Sequence, residues 1–277
     1  MALHLLILAI IQGVTELFPI SSLGHSILVP AVLHWPIDRQ APWFLPYIVV
    51  LHLGTAAALF IYFWRDWFVL LGGAWQARGR PSDPNARLFW LLVVGTIPAG
   101  LIGLALEHKI RLLFGGFAVA AVFLMVNGVI LLIGDALKKR QARHELMNMG
   151  WARAFGIGIA QALALIPGIS RSGATLVAGV WSGLDYASSA RFSFLLATPI
   201  IGAAGILEVP KLVQHHASMP EGLLVTLFAG GILAGVFAWL SIWVLMKYFR
   251  KTEVTALRPF GIYCLAAGAA ALLVHFA

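Results

Sequence analysis

Two short stretches of this sequence place ionisable and hydroxyl side chains within long apolar segments. The first stretch contains Glu16, Ser22 and His25, and the second contains Arg171. A charged side chain is costly at the centre of a membrane helix, roughly 2.5–3.5 kcal/mol on insertion scales, so it marks a functional site by default. These four residues are therefore the first candidates for chemistry.

The residue types in the two stretches suit an anionic ligand. Arg171 offers a planar fork of five donors that matches phosphate, and Gln12 and Glu16 are spaced to share one face of a helix. Short Ser- and Gly-rich turns that lead into helix N-termini expose backbone N–H groups to an anion. We predict an oxyanion site with phosphate as the leading ligand. Its further phosphate-binding candidates are Ser21, Gly168, Ser170, Ser172, Gly173 and Thr175.

Each of these residues also has a purely structural explanation. Glu16 and Arg171 could form a buried ion pair that joins two segments, and His25 could be a hydrogen-bonded core histidine. Serines in apolar helices usually bond their own backbone. The conjunction of all these residues in two matching stretches nevertheless favours a site. His52, which lies inside a predicted span, is expected to support that site from behind the residues that touch the ligand.

The composition indicates which elements must position these residues. The chain of 277 residues is 61% hydrophobic and 11% charged, with a mean hydropathy of +0.91, whereas a soluble domain carries about 25% charged residues. The apolar runs are continuous and about 20 residues long, which is typical of membrane-spanning helices rather than a barrel. The net charge of +8 falls in clusters between these runs, a pattern of membrane topology. We therefore expect membrane lipid around the chain and no nucleic acid partner.

Six segments are predicted to span the membrane, at about 43–63, 88–107, 115–137, 192–208, 222–248 and 259–276. Two more apolar segments, 3–32 and 152–183, are interrupted at 18–24 and 166–173, which leaves halves too short to cross. Broken backbone at membrane depth is tolerated only where it is buried in protein or lines a wet cavity. We predict an all-α polytopic membrane protein with six transmembrane helices and two re-entrant helical hairpins.

The two interruptions resemble each other. Gln12 lies seven residues before Pro19, Gln161 lies six before Pro167, and a Ser-rich turn that ends in Gly follows each proline. Each hairpin is followed by three predicted spans. Because three is odd, the second copy must enter the membrane upside down. The sequence thus predicts one membrane domain, 1–277, that contains a first repeat at 1–140 and an inverted second repeat at 150–277.

Basic residues orient the predicted spans. If the N-terminus is outside, fourteen basic residues lie in inner loops and four in outer loops, so the positive-inside rule places both termini in the periplasm. The inner set is Arg65, Arg78, Arg80, Arg87, Lys138, Lys139, Arg140, Arg143, Arg153, Arg191, Lys247, Arg250, Lys251 and Arg258, and the outer set is Arg39, Lys109, Arg111 and Lys211.

Two motifs resemble a known family. Residues 12–25, QGVTELFPISSLGH, are similar to the first signature of the undecaprenyl pyrophosphate phosphatase family, which is associated with bacitracin resistance. Residues 167–175, PGISRSGAT, resemble its second signature, and 63–66 and 192–197 add supporting similarity. The likeness covers essentially the whole chain.

The resemblance implies a bacterial inner-membrane enzyme that hydrolyses undecaprenyl diphosphate to the monophosphate at a site reached from the periplasm. It also implies a divalent cation, Mg²⁺ or Ca²⁺. Carried over position by position, Glu16 would hold the metal beside Gln12 or activate water. Ser22 would be a nucleophile, His25 a base or proton carrier, and Arg171 a phosphate clamp.

Two other functions stay open at this point. Inverted repeats with broken helices are also transporter anatomy, so the chain could transport or flip an anionic polyprenyl-phosphate lipid, with or without hydrolysis. It could also bind the lipid diphosphate without turnover. The attacking group, Ser22, His25 or water, and the formation of a homo-oligomer are left open as well.

Overall fold

The chain is all-helical wherever its structure is described. A computed structural model describes residues 1–39, 41–113, 116–137, 146–214, 222–251 and 256–276, and these ranges hold eleven α helices and no strand. The helices are α1 Ala2–Thr15, α2 Ser22–Val32, α3 Phe44–Tyr62, α4 Trp64–Gln76, α5 Pro84–Leu113, α6 Phe117–Leu137, α7 Trp151–Leu163, α8 Arg171–Trp181, α9 Tyr186–Gln214, α10 Leu223–Lys251 and α11 Arg258–Phe276.

Six of these helices, α3, α5, α6, α9, α10 and α11, are long and apolar enough to cross a membrane. The prediction of six spans in a multi-pass membrane protein is therefore confirmed. Two spans, α5 and α9, begin several residues earlier than predicted, because a carboxylate caps each helix in the polar segment before the apolar run. The Asp83 carboxylate accepts from two N–H groups at the start of α5, and the Asp185 carboxylate accepts from the N–H of Ser188 in α9.

Part of the topology prediction lies outside the described residues. This part comprises Lys138, Lys139, Arg140 and Arg143 of the inner basic set, Gly115 at the predicted start of the third span, and Ala277.

Helix α4 is an element that the six-span prediction does not include. Trp67 and Leu70 are buried on its inner face, while Trp64, Phe68 and Trp75 are exposed. The Asp66 carboxylate of α4 pairs with the guanidinium of Arg191 in α9. A short helix with one buried face does not stand out in a hydropathy profile, so the sequence pattern does not reveal it.

Helices α1–α2 and α7–α8 are the two interrupted segments, and their breaks are shorter and placed earlier than predicted. They cover 16–21 and 164–170 instead of 18–24 and 166–173. The reason is helix capping, since a serine hydroxyl at the end of each break accepts from a backbone N–H of the next helix. Leu23 and Gly24 are therefore helical, and so are Arg171, Ser172 and Gly173.

The helices pack mainly across the two halves of the sequence. α1 packs on α10 and α7 on α5, α3 packs on α10 and α9 on α5, and α6 packs on α11. Glycines allow close approach at these crossings. A Cβ on Gly13 of α1 would lie 2.4 Å from the carbonyl oxygen of Ala234, and a Cβ on Gly158 of α7 would lie 2.4 Å from that of Gly95. The breaks of α1–α2 and α7–α8 are thereby brought together in the interior.

The crossing of α3 and α10 should depend on Gly54. A Cβ at Gly54 would lie 2.0 Å from the carbonyl oxygen of Gly231, and both groups are backbone in packed helices. We expect Gly54→Ala to destabilise the protein by about 1–3 kcal/mol, as overpacking generally does, and so to lower the midpoint of thermal unfolding in detergent.

Gly202→Ala is the matched control, because a Cβ at Gly202 of α9 would meet no atom within 4 Å. Its unfolding midpoint should stay the same or rise. Equal midpoints for Gly54→Ala and Gly202→Ala would contradict the close crossing.

Candidate active site

The first break carries a carboxylate, Glu16, and a hydroxyl, Ser21, and the helix after it begins with a second hydroxyl, Ser22. Glu16 follows α1 directly, and Ser21 adopts a positive φ of 66°. The Oγ of Ser21 accepts from the N–H of Gly24 at 3.1 Å, which starts α2 at Ser22. The break thus ends in a capped helix N-terminus whose first residue carries a hydroxyl.

The second break has the same form, but the helix after it begins with a positively charged side chain, Arg171. Gly168 has a φ of 105°, a conformation that favours glycine, and a Cβ there would lie 2.4 Å from the carbonyl oxygen of Ala120 in α6. The Oγ of Ser170 accepts from the N–H of Gly173 at 3.1 Å. Arg171 is therefore the first residue of α8, where the orientation of the helix dipole favours anions nearby.

The two breaks are tied directly to each other. The hydroxyl of Ser21 donates to the carbonyl oxygen of Ile169 at 3.3 Å. In the other direction, the hydroxyl of Ser172 donates to the carbonyl oxygen of Glu16 at 3.1 Å. Each break thus supplies a hydroxyl to the backbone of the other, and this exchange brings two distant parts of the chain to one place.

The carboxylate of Glu16, which is only 6% exposed, is the centre of this polar cluster. Its Oε1 lies 3.3 Å from Nε and 3.2 Å from Nη2 of Arg171. Its Oε2 accepts from the hydroxyl of Ser22 at 2.5 Å and from the amide of Gln12 at 3.2 Å, and lies 3.2 Å from Nε2 of His52. Four side chains from α1, α2, α3 and α8 therefore converge on one carboxylate.

The guanidinium of Arg171 is oriented from both sides. Its Nη1 donates to the carbonyl oxygen of Ser193 in α9 at 3.1 Å. The hydroxyl of Ser193 lies 2.6 Å from that of Thr175, which also donates to the carbonyl oxygen of Arg171 at 2.8 Å. The predicted residue Thr175 therefore holds the first turn of α8 against α9, and Arg171 lies between α9 and Glu16.

A cavity of about 290 Å³ begins at this cluster. Its polar lining residues are Glu16, Ser21, Ser22, His52, Gln161, Ser170, Arg171 and Glu208. The rest of the wall is apolar and is formed by α2, α3, α5, α9 and the turn after α7. Its lining there is Leu23, Leu45, Ile48, Val49, Ala99, Gly100, Gly103, Leu104, Ala164, Leu165, Ile169, Ile200, Ile201, Ala203, Ala204 and Leu207.

His25, predicted to be a base, does not line this cavity. Its Nδ1 is 2.7 Å from the carbonyl oxygen of Ser21 and its Nε2 is 2.7 Å from the hydroxyl of Tyr263 in α11. Both ring nitrogens are thus engaged in holding α2 to the break and to α11. The catalytic role of His25 stays a prediction, and this geometry favours its structural alternative.

The other predicted residues divide into those that line the cavity and those that support it. Ser21 and Ser170 line it as well as capping their helices. His52 also lines the cavity, whereas it was expected to support the site from behind the lining residues. Those absent from the cavity lining are Gln12, Gly168, Ser172, Gly173 and Thr175.

Four residues around the site were not among the predicted site residues. Gln161 and Glu208 line the cavity, and Ser193 orients Arg171. Asn127 of α6 is fully buried and bonds to both breaks. The signal for Asn127 was available, because it is an amide in the middle of an apolar run. Gln161 stood out only as the counterpart of Gln12 in the repeat.

The arrangement can bind an anion and activate a hydroxyl. Two helix N-termini, at Ser22 and Arg171, lie at the polar end of the cavity, and helix N-termini favour phosphate. The short hydrogen bond from the hydroxyl of Ser22 to the carboxylate of Glu16 places a proton acceptor next to an oxygen nucleophile. This is the geometry of nucleophilic catalysis. The apolar remainder of the cavity suits a hydrocarbon chain attached to the anion.

Comparison with known proteins agrees with the motifs. Residues 5–270 match the family described as bacitracin resistance protein BacA. Undecaprenyl-diphosphatase 2 of Chromobacterium violaceum is 59% identical over 98% of each chain. The undecaprenyl-diphosphatases of Acidiphilium cryptum and Gluconobacter oxydans are 47% identical over 96% of this chain and 95% of the relative, and 44% identical over 96% of each. The chain belongs to the BacA family.

Proposed function

We propose that this protein hydrolyses undecaprenyl diphosphate to undecaprenyl phosphate and inorganic phosphate, which recycles the lipid carrier of cell-wall synthesis. The observation that carries the proposal is the convergence of Glu16, Ser22 and Arg171 at the polar end of an otherwise apolar cavity. The relatives named undecaprenyl-diphosphatase match over nearly their whole length. All the residues of the site come from one chain, so the proposal does not require a homo-oligomer.

The terminal phosphate of the substrate would bind against Arg171 and the start of α8. Arg171 now directs Nε and Nη2 to Glu16, and a phosphate can take over part of this fork because its oxygens accept in the same bidentate geometry. The hydroxyls of Ser21 and Ser170 line the same end of the cavity. Donors fixed by the fold before substrate arrives stabilise the charge that develops on the transferring group.

Ser22 is the group placed to attack the terminal phosphorus. Its Oγ lies 2.5 Å from Oε2 of Glu16, so Glu16 would accept the proton as the P–O bond to Ser22 forms and the bond to undecaprenyl phosphate breaks. Glu16 would pass this proton to the departing undecaprenyl phosphate and so become a base again. Water would then attack the phosphorus and give its proton to Glu16, which would return it to the Oγ of Ser22 as inorganic phosphate is released. In the alternative without a covalent intermediate, Glu16 activates water directly and Ser22 only orients it.

We also propose that a divalent cation, Mg²⁺ or Ca²⁺, assists the hydrolysis. Among the described residues no group of three or more His, Cys, Asp or Glu side chains could hold a metal ion. However, Oε1 of Gln12 is buried without a hydrogen-bond partner next to Glu16. Mg²⁺ keeps several waters and is commonly held by one or two carboxylates plus substrate phosphates, so Glu16 and Gln12 fit such a site. When bound, the cation would neutralise charge on the diphosphate.

We also propose that α1–α2 and α7–α8 are re-entrant hairpins in an inverted repeat, 1–140 and 150–277. At 11 to 14 residues each, these helices are shorter than the roughly 20 residues that a span needs. The proposal is also supported by the exchange of partners, in which α1 packs on the second span of the other half, α10, and α7 on α5.

We place the protein in the bacterial inner membrane, with both termini and the cavity on the periplasmic side. The positive-inside rule supports this orientation. With the N-terminus outside, α3 begins in the outer leaflet, and α5 and α9 end there. The cavity is lined by the first residues of α3, at 45–52, and by the second halves of α5 and α9, at 99–104 and 200–208.

The function is tested by measuring phosphate release from undecaprenyl diphosphate by the purified protein in detergent, with Mg²⁺ or Ca²⁺ present. We expect turnover by the wild type and a loss of at least about 100-fold in Arg171→Ala, since removing one preorganised donor to a developing charge costs that much elsewhere. Arg171→Lys keeps the charge without the fork and should be intermediate. A folded wild-type protein that releases no phosphate would contradict the proposal.

The second candidate function, a transporter or flippase of an anionic polyprenyl-phosphate lipid, is favoured by the two broken helix pairs. The transporter and the phosphatase are distinguished in sealed vesicles with labelled lipid in one leaflet. A transporter moves the label to the other leaflet without liberating phosphate. Tight binding with neither hydrolysis nor movement would instead indicate a binding protein.

The role of Ser22 is tested with a neighbour on the same helix. Ser22→Ala should lower kcat by about 100-fold or more if Ser22 attacks the phosphorus, because water then has to replace a positioned nucleophile. Ser26→Ala is the control, since Ser26 is fully buried one turn later and its Oγ has no hydrogen-bond partner. Near wild-type turnover in Ser22→Ala would assign the attack to water.

Removal of the cation should stop turnover. We expect a chelator such as EDTA to abolish phosphate release and added Mg²⁺ or Ca²⁺ to restore it. Gln12→Glu adds a second carboxylate beside Glu16 and should lower the cation concentration that gives half-maximal rate, while Gln12→Leu should raise it. Full activity in EDTA would remove the cation from the mechanism.

A further inference from the structure

Asn127 is a polar residue in the middle of α6 that the proposed chemistry does not use. It is fully buried in the middle of a span with a hydropathy of 2.5. A buried amide without partners costs several kcal/mol in an apolar medium, roughly 4–8 on the cyclohexane scale. A residue of this kind is retained where its hydrogen bonds serve a purpose, so its partners indicate its role.

The two ends of the Asn127 amide contact the two breaks. Nδ2 donates to the carbonyl oxygen of Pro19 at 2.9 Å, three residues after Glu16. Oδ1 accepts from the N–H of Ser170 at 3.0 Å, directly before Arg171. One planar group on a third element therefore spans the segments that carry the carboxylate and the guanidinium.

The surroundings of Asn127 fix it in this position. A Cβ on Gly173 would lie 3.2 Å from Oδ1 of Asn127, so the first turn of α8 packs directly on the amide. On the side of α11, Nδ2 lies 3.4 Å from Sγ of Cys264. The amide is thus held from α8 and α11 while it bonds to both breaks.

We infer that Asn127 is a positioning residue for hydrolysis, which sets the distance and angle between Glu16 and Arg171 through Pro19 and Ser170. This inference rests on the proposed function. The direct ties from Ser21 and Ser172 also hold the breaks together, but each is made by a single hydroxyl to one backbone carbonyl of the opposite break. The amide is rigid, with a donor and an acceptor in one plane, and therefore fixes the direction of both backbones. A misplacement of 1 Å in such a site can lower the rate by about 100-fold.

The test compares Asn127→Leu and Asn127→Ala with the wild type and with Ser241→Ala. Leucine keeps most of the volume and removes both hydrogen bonds, and alanine removes them without any risk of overpacking. Ser241→Ala is the matched control, because Ser241 is also buried in a span but bonds only to its own helix, at Phe237. We expect kcat per folded molecule to fall by about 10-fold to 100-fold in both Asn127 variants, with KM for undecaprenyl diphosphate nearly unchanged.

Two further measurements separate positioning from a purely structural role. The midpoint of thermal unfolding reports the global fold, and the rate of maleimide labelling of Cys264, the single cysteine, reports local opening around the amide. Slow labelling and a retained fold together with reduced kcat would support the inference. It would be overturned by wild-type kcat in both variants, or by a loss of activity that only follows the loss of folded protein.

The wild type is assayed first, so that failure of the proposed function can be distinguished from failure of the positioning role of Asn127. A wild-type protein that releases no phosphate overturns the function itself. A wild-type protein that turns over, with Asn127 variants of equal kcat, overturns only the positioning role.

Discussion

Glu16 and Arg171 bring opposite charges into an interior that is otherwise apolar, and neither charge could remain there without the other. Taking a charge out of water costs several kcal/mol, and removing one partner of a buried pair leaves the other uncompensated. The pair lies 3.2 Å apart at its closest contact, with both side chains mostly shielded from solvent. The two breaks, their serine caps and the packing of α1 and α7 across the halves all serve to bring these two residues together.

The same pair explains how an anion could bind in the interior of such an apolar protein. A helix that crosses the bilayer unbroken has satisfied its own N–H groups and offers nothing to a phosphate. Interrupting α1–α2 and α7–α8 creates two helix N-termini in the interior, where Ser21 and Ser170 each satisfy one N–H group. The anion site is thus made from backbone and from one exchangeable ion pair, and the apolar spans supply the wall for the hydrocarbon.

The parts of this structure that follow from local patterning could be predicted from the sequence. Hydropathy identifies the six spans, and Pro, Gly and Ser mark both breaks, because each reflects a residue's own preference. The roles of individual polar side chains depend instead on which neighbour they meet. His25 meets the hydroxyl of Tyr263, a residue 238 positions away, and no local pattern reveals that contact. Asn127 could be recognised as unusual, but its two partners became apparent only once α6 was placed between the breaks. α4 has one buried face, and a hydropathy average over the whole helix does not distinguish that face from the exposed one.

The exchange of packing partners between the halves has a consequence for how the protein is made. α1 is synthesised first, yet it packs against α10, which begins at residue 223. The carboxylate of Glu16 is therefore synthesised long before either Arg171 or the final neighbour of α1 exists. Until α8 is made, Glu16 has no guanidinium partner, although Gln12, Ser22 and His52 are already present in the chain. The order of assembly is thus not the order of synthesis, and a chain arrested before α10 would lack the surface on which its first helix folds.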